Sequence, residues 1–196
     1  MDNLIRSVQA VLGVTVDGKA GPKTWQAIHD ALVSEPAVED AGLIDERSEK
    51  VIATLLPEVR PYARCLVREA AKIGIDIKVL SGLRTYEEQN KLYEKGRSEP
   101  GRIVTKARAG YSNHNFGIAF DIGVFEGSAY LGDSPKYAAV GALASAIGLE
   151  WGGNWVSFKD MPHYQLRPKW AVGMGEAEML KVLRQRKDAG INAFSY

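Results

Sequence analysis

The spacing of apolar residues along the chain predicts a mixture of helices and short strands. A period of 3.6 residues marks helices, and strict alternation of apolar and polar positions marks half-buried strands. The helices predicted in this way cover residues 3–12, 22–33, 61–73, 86–95, 136–147 and 176–187. The predicted strands cover residues 75–81, 118–122, 149–151 and 164–166. Because the two kinds of element mix without a regular strand–helix alternation, the pattern predicts an α+β fold.

Single residues mark several of these boundaries. Thr85, followed by Glu88 three positions later, forms the pattern of a capping box, and Gly96 ends the helix that begins there. Pro22 and Pro61 each suit the first turn of a helix. In the helix that begins at Pro61, the residues predicted to share a buried stripe are Tyr62, Cys65, Leu66, Ala70 and Ile73.

Charge divides the chain into three parts. Residues 1–34 carry three acids and three bases, residues 35–47 carry five acids and one base, and residues 48–196 carry 16 acids and 21 bases. The formal net charge of +1 therefore conceals an acidic stretch between two other segments. We predict a small all-helical N-terminal module over 1–34, an acidic linker over 35–47 and a main domain over 48–196.

The composition is that of an ordinary globular chain and excludes several classes of protein. Of the 196 residues, 45% are apolar and 25% charged, and no apolar run approaches the roughly 20 residues of a membrane span. The first residues lack the basic-then-apolar layout of a secretory leader. The single cysteine, Cys65, excludes an internal disulfide framework and a multi-thiolate zinc site. A monomer without membrane insertion is expected.

Five basic residues lie between Lys95 and Arg108. They lack interleaved aromatic residues, and the chain as a whole is close to neutral, so no nucleic-acid partner is predicted. Recognition of an acidic peptide explains the same charges.

The candidate chemistry centres on two of the three histidines, His114 and His163. His114 and Asp121 are seven residues apart, which is about 10.5 Å along a helix or about 23 Å along a strand. They can share one small ion only if the chain turns between them, and Gly117 permits that turn. On the strand 118–122 that follows, the apolar positions face the core and Asp121 faces the other way.

The second histidine lies beside a second carboxylate. Pro162 forbids a helix interior and places Asp160 on a loop, just before a strand on which His163 and Gln165 share a face. Two imidazoles and one carboxylate make a three-ligand zinc site with an open position for water, and Asp160 would stand outside the ligands as general base. The spacing alone fits two satisfied or surface histidines equally well. His29, on a polar stretch of the small module, is interpreted as structural.

Several strings of the sequence, in this order, resemble the M15 zinc peptidases. They are Ser81-Gly-Leu-Arg-Thr85 with Gln89, Gly96-Arg97, Pro100-Gly-Arg-Ile-Val-Thr105, Ser112-Asn-His-Asn-Phe-Gly-Ile-Ala-Phe-Asp121, Trp151-Gly-Gly and Asp160-Met-Pro-His163. Within that family the sequence is most similar to the L-alanyl-D-glutamate endopeptidases of phage endolysins and bacterial wall hydrolases. The resemblance covers residues 48–167. It implies a small antiparallel sheet flanked by helices, as in Hedgehog and the D-Ala-D-Ala peptidases.

The resemblance also implies roles for single residues. It implies that His114, Asp121 and His163 bind one Zn²⁺, that Asp160 is the catalytic base, and that Arg84 polarises the scissile carbonyl and stabilises its oxyanion. Two neutral imidazoles and one carboxylate leave such a zinc site with a charge of +1, which acidifies a bound water. The candidate substrate-binding residues, whose alternative role is to satisfy backbone groups, are Ser81, Gln89 and Ser112.

The N-terminal residues resemble part of the peptidoglycan-binding module that is often fused to wall hydrolases. The shared strings are Val8-Gln-Ala-Val-Leu-Gly13 and Thr15-Val-Asp-Gly-Lys-Ala-Gly-Pro-Lys-Thr24. That module has three helices, whereas two are visible here, so a helical hairpin that only packs on the main domain is the alternative. Trp25 is interpreted as a core residue rather than a sugar platform. Near His163, the aromatic residues that either wall a cleft or pack in the core are Trp151, Trp155 and Phe158.

These features together predict a zinc endopeptidase that cuts the stem peptide of bacterial peptidoglycan between L-Ala and D-Glu. One alternative keeps the chemistry and changes the substrate, as in the D-Ala-D-Ala carboxypeptidases and dipeptidases of the same family. The other is a non-catalytic wall-binding protein with a vestigial zinc site, against which Arg84 and Asp160 argue. A chain without a leader that acts on the wall fits a lysin made in the cytoplasm and released through a holin-type pore.

Overall fold

The computed structural model describes residues 2–11, 13–25, 27, 42–156 and 158–195. The chain divides into two compact units, Met1–Ala37 and Val38–Tyr196. His29 and most of the predicted acidic linker lie outside the described residues. Among the helices that the described residues form, none combines the length and the apolar character needed to cross a membrane.

The smaller unit begins with α1 (Asp2–Val11), which confirms the first predicted helix. Its predicted apolar face is not buried among the described residues, since Leu4 is 69% and Val11 86% exposed. The buried side chain is that of Gln9, which joins the helix to the turn after it. The Gln9 amide forms hydrogen bonds with Asp17, Gly18, Lys19 and Thr24. A polar crosslink therefore holds this helix to the residues that follow it.

The second predicted helix is described only at its start. Residues 22–25 and 27 are helical, with Pro22 in the first turn as predicted, and residues 28–33 lie outside the described residues. The Trp25 side chain is 60% exposed. The interpretation of Trp25 as a core residue is therefore wrong for the part of this unit that the structure describes.

The larger unit has the predicted α+β class. Its helices are α2 (Glu46–Ile52), α3 (Arg60–Lys72), α4 (Tyr86–Glu94), α5 (Lys136–Ala146) and α6 (Glu176–Asp188). Its strands are β1 (Asp76–Ser81), β2 (Ala119–Glu126), β3 (Ala129–Leu131), β4 (Glu150–Trp151) and β5 (His163–Gln165). The sheet has the order β1-β2-β5-β4, with β3 paired to one end of β2, and every pair is antiparallel.

Local signals explain where the helices begin. The Asp45 carboxylate caps α2 by accepting from the backbone N–H of Ser48, and the capping box of Thr85 and Glu88 opens α4 as predicted. In α3 the buried stripe differs from the prediction, because Ala63 is buried, Cys65 is half-buried and Ile73 is 53% exposed. The remaining stripe residues, Tyr62, Leu66 and Ala70, are buried as predicted.

The main core lies where α2 and α3 pack on β1 and where α5 packs on α3 and β4. From β2 it receives Phe120, Ile122 and Val124, all at most 1% exposed. Ile118 was predicted to face the same core, but it joins a second apolar cluster with Phe116 and the buried residues of α6.

Two glycines fit closely around Trp151 in β4. A Cβ atom at Gly141 of α5 would lie 2.3 Å from the indole, and one at Gly153 would lie 2.2 Å from it. The indole N–H donates to the carbonyl of Met161 over 2.8 Å, which ties β4 to the loop before β5. Because Gly141 and Gly153 have no side chain, the Trp151 ring fits between them and can bind the loop before β5.

Gly141→Ala is expected to destabilise the protein by about 1–3 kcal/mol, because the new methyl group overlaps the Trp151 ring. Helix propensity alone predicts the opposite sign, a gain of about 1 kcal/mol. Urea unfolding measures the difference in the free energy of unfolding. Ala139→Gly, at an exposed position of α5, is the matched control and should show only the propensity cost. A Gly141→Ala variant as stable as the parent would contradict the close packing.

Candidate metal centre

Three elements bring His114, Asp121 and His163 together. His114 lies in a 3₁₀ turn, Asn113–Phe116, which ends at Gly117 in the left-handed conformation with φ of 68°. This is the turn that the spacing of His114 and Asp121 required. Asp121 of β2 then pairs directly with His163 of β5 in the antiparallel register. The sheet register, which the sequence did not predict, therefore places the second histidine beside the carboxylate.

The three side chains present three ligand atoms at the corners of a nearly equilateral triangle. His114 Nε2 lies 3.3 Å from His163 Nδ1. Asp121 Oδ1 lies 3.2 Å from the first nitrogen and 3.4 Å from the second. Ligands about 2.0–2.1 Å from a tetrahedral zinc ion lie about 3.3–3.4 Å from one another. The donor set and its spacing therefore fit zinc, and this group is a possible metal site among the described residues.

Hydrogen bonds fix which nitrogen of each histidine faces the triangle. His114 Nδ1 lies 2.8 Å from the backbone carbonyl of Gly82, which can only accept, so Nδ1 carries the proton and Nε2 is free. His163 Nε2 lies 2.9 Å from the side-chain oxygen of Gln165, and its other nitrogen, Nδ1, faces the triangle. Both rings are almost fully buried. The two histidines thus use different nitrogens toward one point.

The charges of the triangle are coupled. Burial favours the neutral form of Asp121, but the charge and hydrogen bonds of His114 and His163 outweigh it and hold the pKa of the carboxyl well below its usual range. Burial favours neutral His163, but hydrogen bonding to Asp121 and its charge raise the pKa of that imidazole. The three side chains therefore favour positive charge at the centre of the triangle.

Asp160 lies on the loop before β5 and lines the same cleft. Its backbone N–H donates to the carbonyl of Gly152 over 3.1 Å, and its carbonyl accepts from the N–H of His163 over 3.2 Å. A Cβ atom at Gly152 would lie 2.5 Å from that carbonyl oxygen, so only glycine permits this approach. Burial, together with the negative charge of Asp121, raises the pKa of the Asp160 carboxyl.

Arg84 is held beside the triangle by protein groups. Its guanidinium donates to Gln89 Oε1 over 3.0 Å and to Ser81 Oγ over 3.1 Å, and it lies 3.8 Å from Asp121 Oδ2. Its backbone N–H donates to the carbonyl of His114 over 3.0 Å. A register shift in β1 after Val79 pairs Ser81 with Asp121, which brings this support to the site.

The three candidate substrate-binding residues have different surroundings. Gln89 is completely buried and donates to the carbonyl of Ala107 over 2.7 Å, so it supports Arg84 and the basic segment rather than facing the cleft. Ser81 accepts from Arg84. Ser112 lines the cleft. Ser81 and Gln89 therefore bind the Arg84 guanidinium, and Ser112 is the one of the three that lines the cleft.

The cleft above the triangle has a volume of about 1050 Å³. Its aromatic wall includes Trp151, Trp155 and Phe158, and the Trp155 ring lies 4.9 Å from that of His163. Lys106 of the basic segment lies 5.0 Å from the Phe158 ring and also lines the cleft. The aromatic residues noted in the sequence thus line the cleft, and the ammonium group of Lys106 lies beside them.

Sequence reasoning missed a polar cluster behind His163. It placed Gln165 on the same face as His163 but assigned it no role. Other members, drawn from distant positions, carried no local signal; they are Asn113, Glu150, Arg167 and Glu176.

Comparisons with known proteins found a family model, relatives of known activity and a solved structure to which the chain is similar. A peptidase M15 family model described as D-alanyl-D-alanine carboxypeptidase matches residues 105–166. The peptidoglycan L-alanyl-D-glutamate endopeptidase CwlK of Bacillus subtilis is 37% identical over 128 residues, which cover 60% of this chain and 77% of that relative. The L-alanyl-D-glutamate peptidase of a Listeria phage is 30% identical over 128 residues, which cover 63% of this chain and 42% of that relative. The fold is similar to that of the Serratia marcescens L-Ala D-Glu endopeptidase ChiX, with a TM-score of 0.50, 24% identity, and coverage of 67% of this chain and 93% of that one.

Proposed function

The chain belongs to the M15 peptidases, and we propose on that basis that it is a zinc-dependent endopeptidase that cleaves the stem peptide of bacterial peptidoglycan between L-Ala and D-Glu. The observation that carries the proposal is the triangle of His114, Asp121 and His163, with Arg84 and Asp160 beside it at one cleft. The three metal ligands alone would be equally consistent with a metal site that only stabilises the fold. The added cation and carboxylate supply what hydrolysis of an amide needs.

Each of these residues has a part in the proposed reaction. When bound to the triangle, zinc supplies a Lewis acid that polarises a carbonyl and lowers the pKa of water. Asp160 takes the proton of the attacking water and passes it to the leaving amine, a role that its raised pKa favours. Arg84 meets the negative charge that develops on the carbonyl oxygen. Ser81 and Gln89 keep the guanidinium in place.

The choice of substrate rests on the relatives. Both curated relatives described above are named L-alanyl-D-glutamate peptidases, whereas the family model carries the description of a D-Ala-D-Ala carboxypeptidase. The second activity is therefore the alternative for the same site. The Lys106 ammonium at the cleft complements an acidic peptide in either case.

Digestion of purified sacculi separates the two substrates. The proposed enzyme exposes the amine of D-Glu, which end-group labelling and mass spectrometry identify, while the alternative releases D-alanine. Asp160→Asn protein, whose turnover is expected to be far lower, is the control for contaminating hydrolases. Release of D-alanine without new D-Glu termini would replace the proposal with the alternative, and no cleavage by zinc-loaded protein would favour a non-catalytic wall-binding protein.

We propose that residues 1–34 direct the enzyme to the wall and that 35–47 link them to the peptidase, which works as a monomer. The exposure of Trp25 leaves its indole free to stack on a sugar ring. The site of action is the cell wall, reached through a holin-type pore if the enzyme is a phage lysin.

Zinc affinity is expected to fall at low pH, because zinc binds His163 only after this imidazole has lost its second proton. The raised pKa of His163 makes that loss harder. Below that pKa the affinity falls about tenfold per pH unit for one released proton, and above it the affinity levels off. Asp121 adds no further proton, since its pKa is low. Competition with a chromophoric chelator between pH 5.5 and pH 8.5, about one unit below and two above the ordinary histidine pKa, measures this slope. A zinc affinity that does not change with pH would contradict the raised pKa of His163.

A further inference from the structure

A chain of hydrogen-bonded polar side chains extends from His163 to helix α6. Gln165 is completely buried, and its Oε1 atom lies 2.9 Å from His163 Nε2. The other end of this amide, Nε2, donates to Glu150 Oε2 over 2.7 Å. The amide therefore lies between an imidazole that can carry its proton on either nitrogen and a carboxylate that can only accept.

The direction of these hydrogen bonds follows from Glu150. Because an ionised carboxylate has no proton to donate, the Gln165 amide must turn its NH₂ group toward Glu150. Its oxygen then faces His163, and an oxygen can only accept. His163 Nε2 must therefore be the donor, which leaves the Nδ1 lone pair at the metal triangle.

Asn113 also requires that the Gln165 oxygen, and not its NH₂ group, face His163. Its Nδ2 atom donates to Gln165 Oε1 over 2.5 Å and also to Glu176 at the start of α6. Turning the Asn113 amide around would place its oxygen against two acceptors. Its Oδ1 atom is buried without a hydrogen-bond partner among the described residues, so the present orientation is kept at the cost of one unmade bond.

Arg167 holds both carboxylates. Its Nη2 atom lies 3.2 Å from Glu150 Oε2 and 3.0 Å from Glu176 Oε2, and its Nε atom donates to Glu150 as well. The guanidinium side chain is only 18% exposed. Both carboxylates accept from this guanidinium, which holds their oxygen atoms beside the amides of Gln165 and Asn113.

We propose that Gln165 is a positioning residue which, oriented by Glu150 and by Glu176 through Asn113, keeps the proton of neutral His163 on Nε2 and so reserves Nδ1 for the metal. The role of Gln165 in metal binding rests on the proposed function. The position of the proton does not, because it is a property of the metal-free protein.

The first test is nitrogen NMR of His163 in the metal-free parent, at a pH where the ring is neutral. The expected spectrum shows a protonated Nε2 and a bare Nδ1. A proton on Nδ1 would overturn the proposal without any variant. This result does not depend on peptidase activity, so it separates failure of this inference from failure of the proposed function.

The second test is zinc affinity, by chelator competition, in Gln165→Met, which keeps the length of the side chain and removes the amide. We expect an affinity about 10- to 100-fold lower and a mixture of His163 tautomers. Gln89→Met is the matched control, since it makes the same change at a buried glutamine that contacts Arg84 and no histidine. It should lower turnover and leave zinc affinity unchanged.

A double variant that restores the hydrogen bonds tests the same role of Gln165, including when Gln165→Met does not fold. In the double variant Gln165→Glu with Glu150→Gln, a carboxylate at position 165 accepts from His163 and from the new amide at position 150. The order of donors and acceptors from His163 to position 150 is thereby restored. The new NH₂ group gives up the 3.2 Å contact with Arg167 Nη2, whereas the other oxygen still accepts from Arg167 Nε. Zinc affinity should therefore recover most of the loss of about 10- to 100-fold expected for a broken contact. A folded double variant that loses zinc, or a folded Gln165→Met variant that binds zinc as the parent does, would overturn the proposal.

Discussion

Asp160→Asn is expected to lower kcat by about 10²- to 10⁴-fold while zinc affinity stays close to that of the parent. The amide keeps the size of the side chain and removes its ability to accept a proton. Asp160 stands outside the triangle of His114, Asp121 and His163, so its loss leaves all three ligand atoms in place. Turnover of a stem-peptide substrate and zinc affinity by chelator competition, measured on the same preparation, give the two numbers.

The pH dependence of the parent enzyme tests the same assignment. A general base works only when deprotonated, so kcat/KM should fall as the pH drops through the pKa that the Asp160 carboxyl has in the zinc-loaded enzyme. Burial and the charge of Asp121 raise that pKa. Zinc, by its positive charge, lowers that pKa in the loaded enzyme. When zinc is kept saturating at every pH, the acidic limb should vanish from the residual activity of Asp160→Asn. Asp160→Asn protein that lyses sacculi at the parental rate would remove Asp160 from the mechanism, and loss of zinc would make it a ligand or a structural residue instead.

Elements with local signals could be predicted from the sequence. The capping box at Thr85 and the proline at the start of α3 are short-range patterns, because the groups that they satisfy lie within one helical turn. The burial of α1 could not be predicted in this way. Helical spacing shows which residues share a face, but the partner of that face decides whether it is covered, and in α1 the buried residue is Gln9.

The site divides along the same line. His114, Gly117 and Asp121 are close in sequence, so the turn between them could be inferred from chain geometry. The pairing of Asp121 with His163 depends on the register of two strands 42 positions apart, which the sequence did not predict. The residue types allowed, and the family resemblance implied, only that the two side chains bind one ion. The cluster of Glu150, Arg167 and Glu176 gave no signal, because a salt bridge between distant residues leaves no periodic pattern.

The function assigned to Arg84 predicts a loss of about 10²- to 10³-fold in kcat for Arg84→Ala, with little change in KM or zinc affinity. The guanidinium lies 3.8 Å from Asp121 Oδ2, whereas Oδ1 is the atom that faces the two histidines, so the metal triangle does not depend on it. Steady-state kinetics on a defined stem peptide measures the split between kcat and KM. Arg108→Ala, at an exposed residue that stacks on Tyr93, is the control for loss of one positive charge.

Arg84→Lys tests whether charge alone is enough. Ser81 and Gln89 each accept from a different guanidinium nitrogen, and a single ammonium group cannot occupy both positions at once. The lysine variant should therefore recover only part of the lost rate, and added guanidinium ion should raise the activity of Arg84→Ala more than that of the lysine variant. If Arg84→Ala raises KM and leaves kcat intact, Arg84 binds the ground-state substrate, and stabilisation of the developing charge must come from the metal side of the cleft alone.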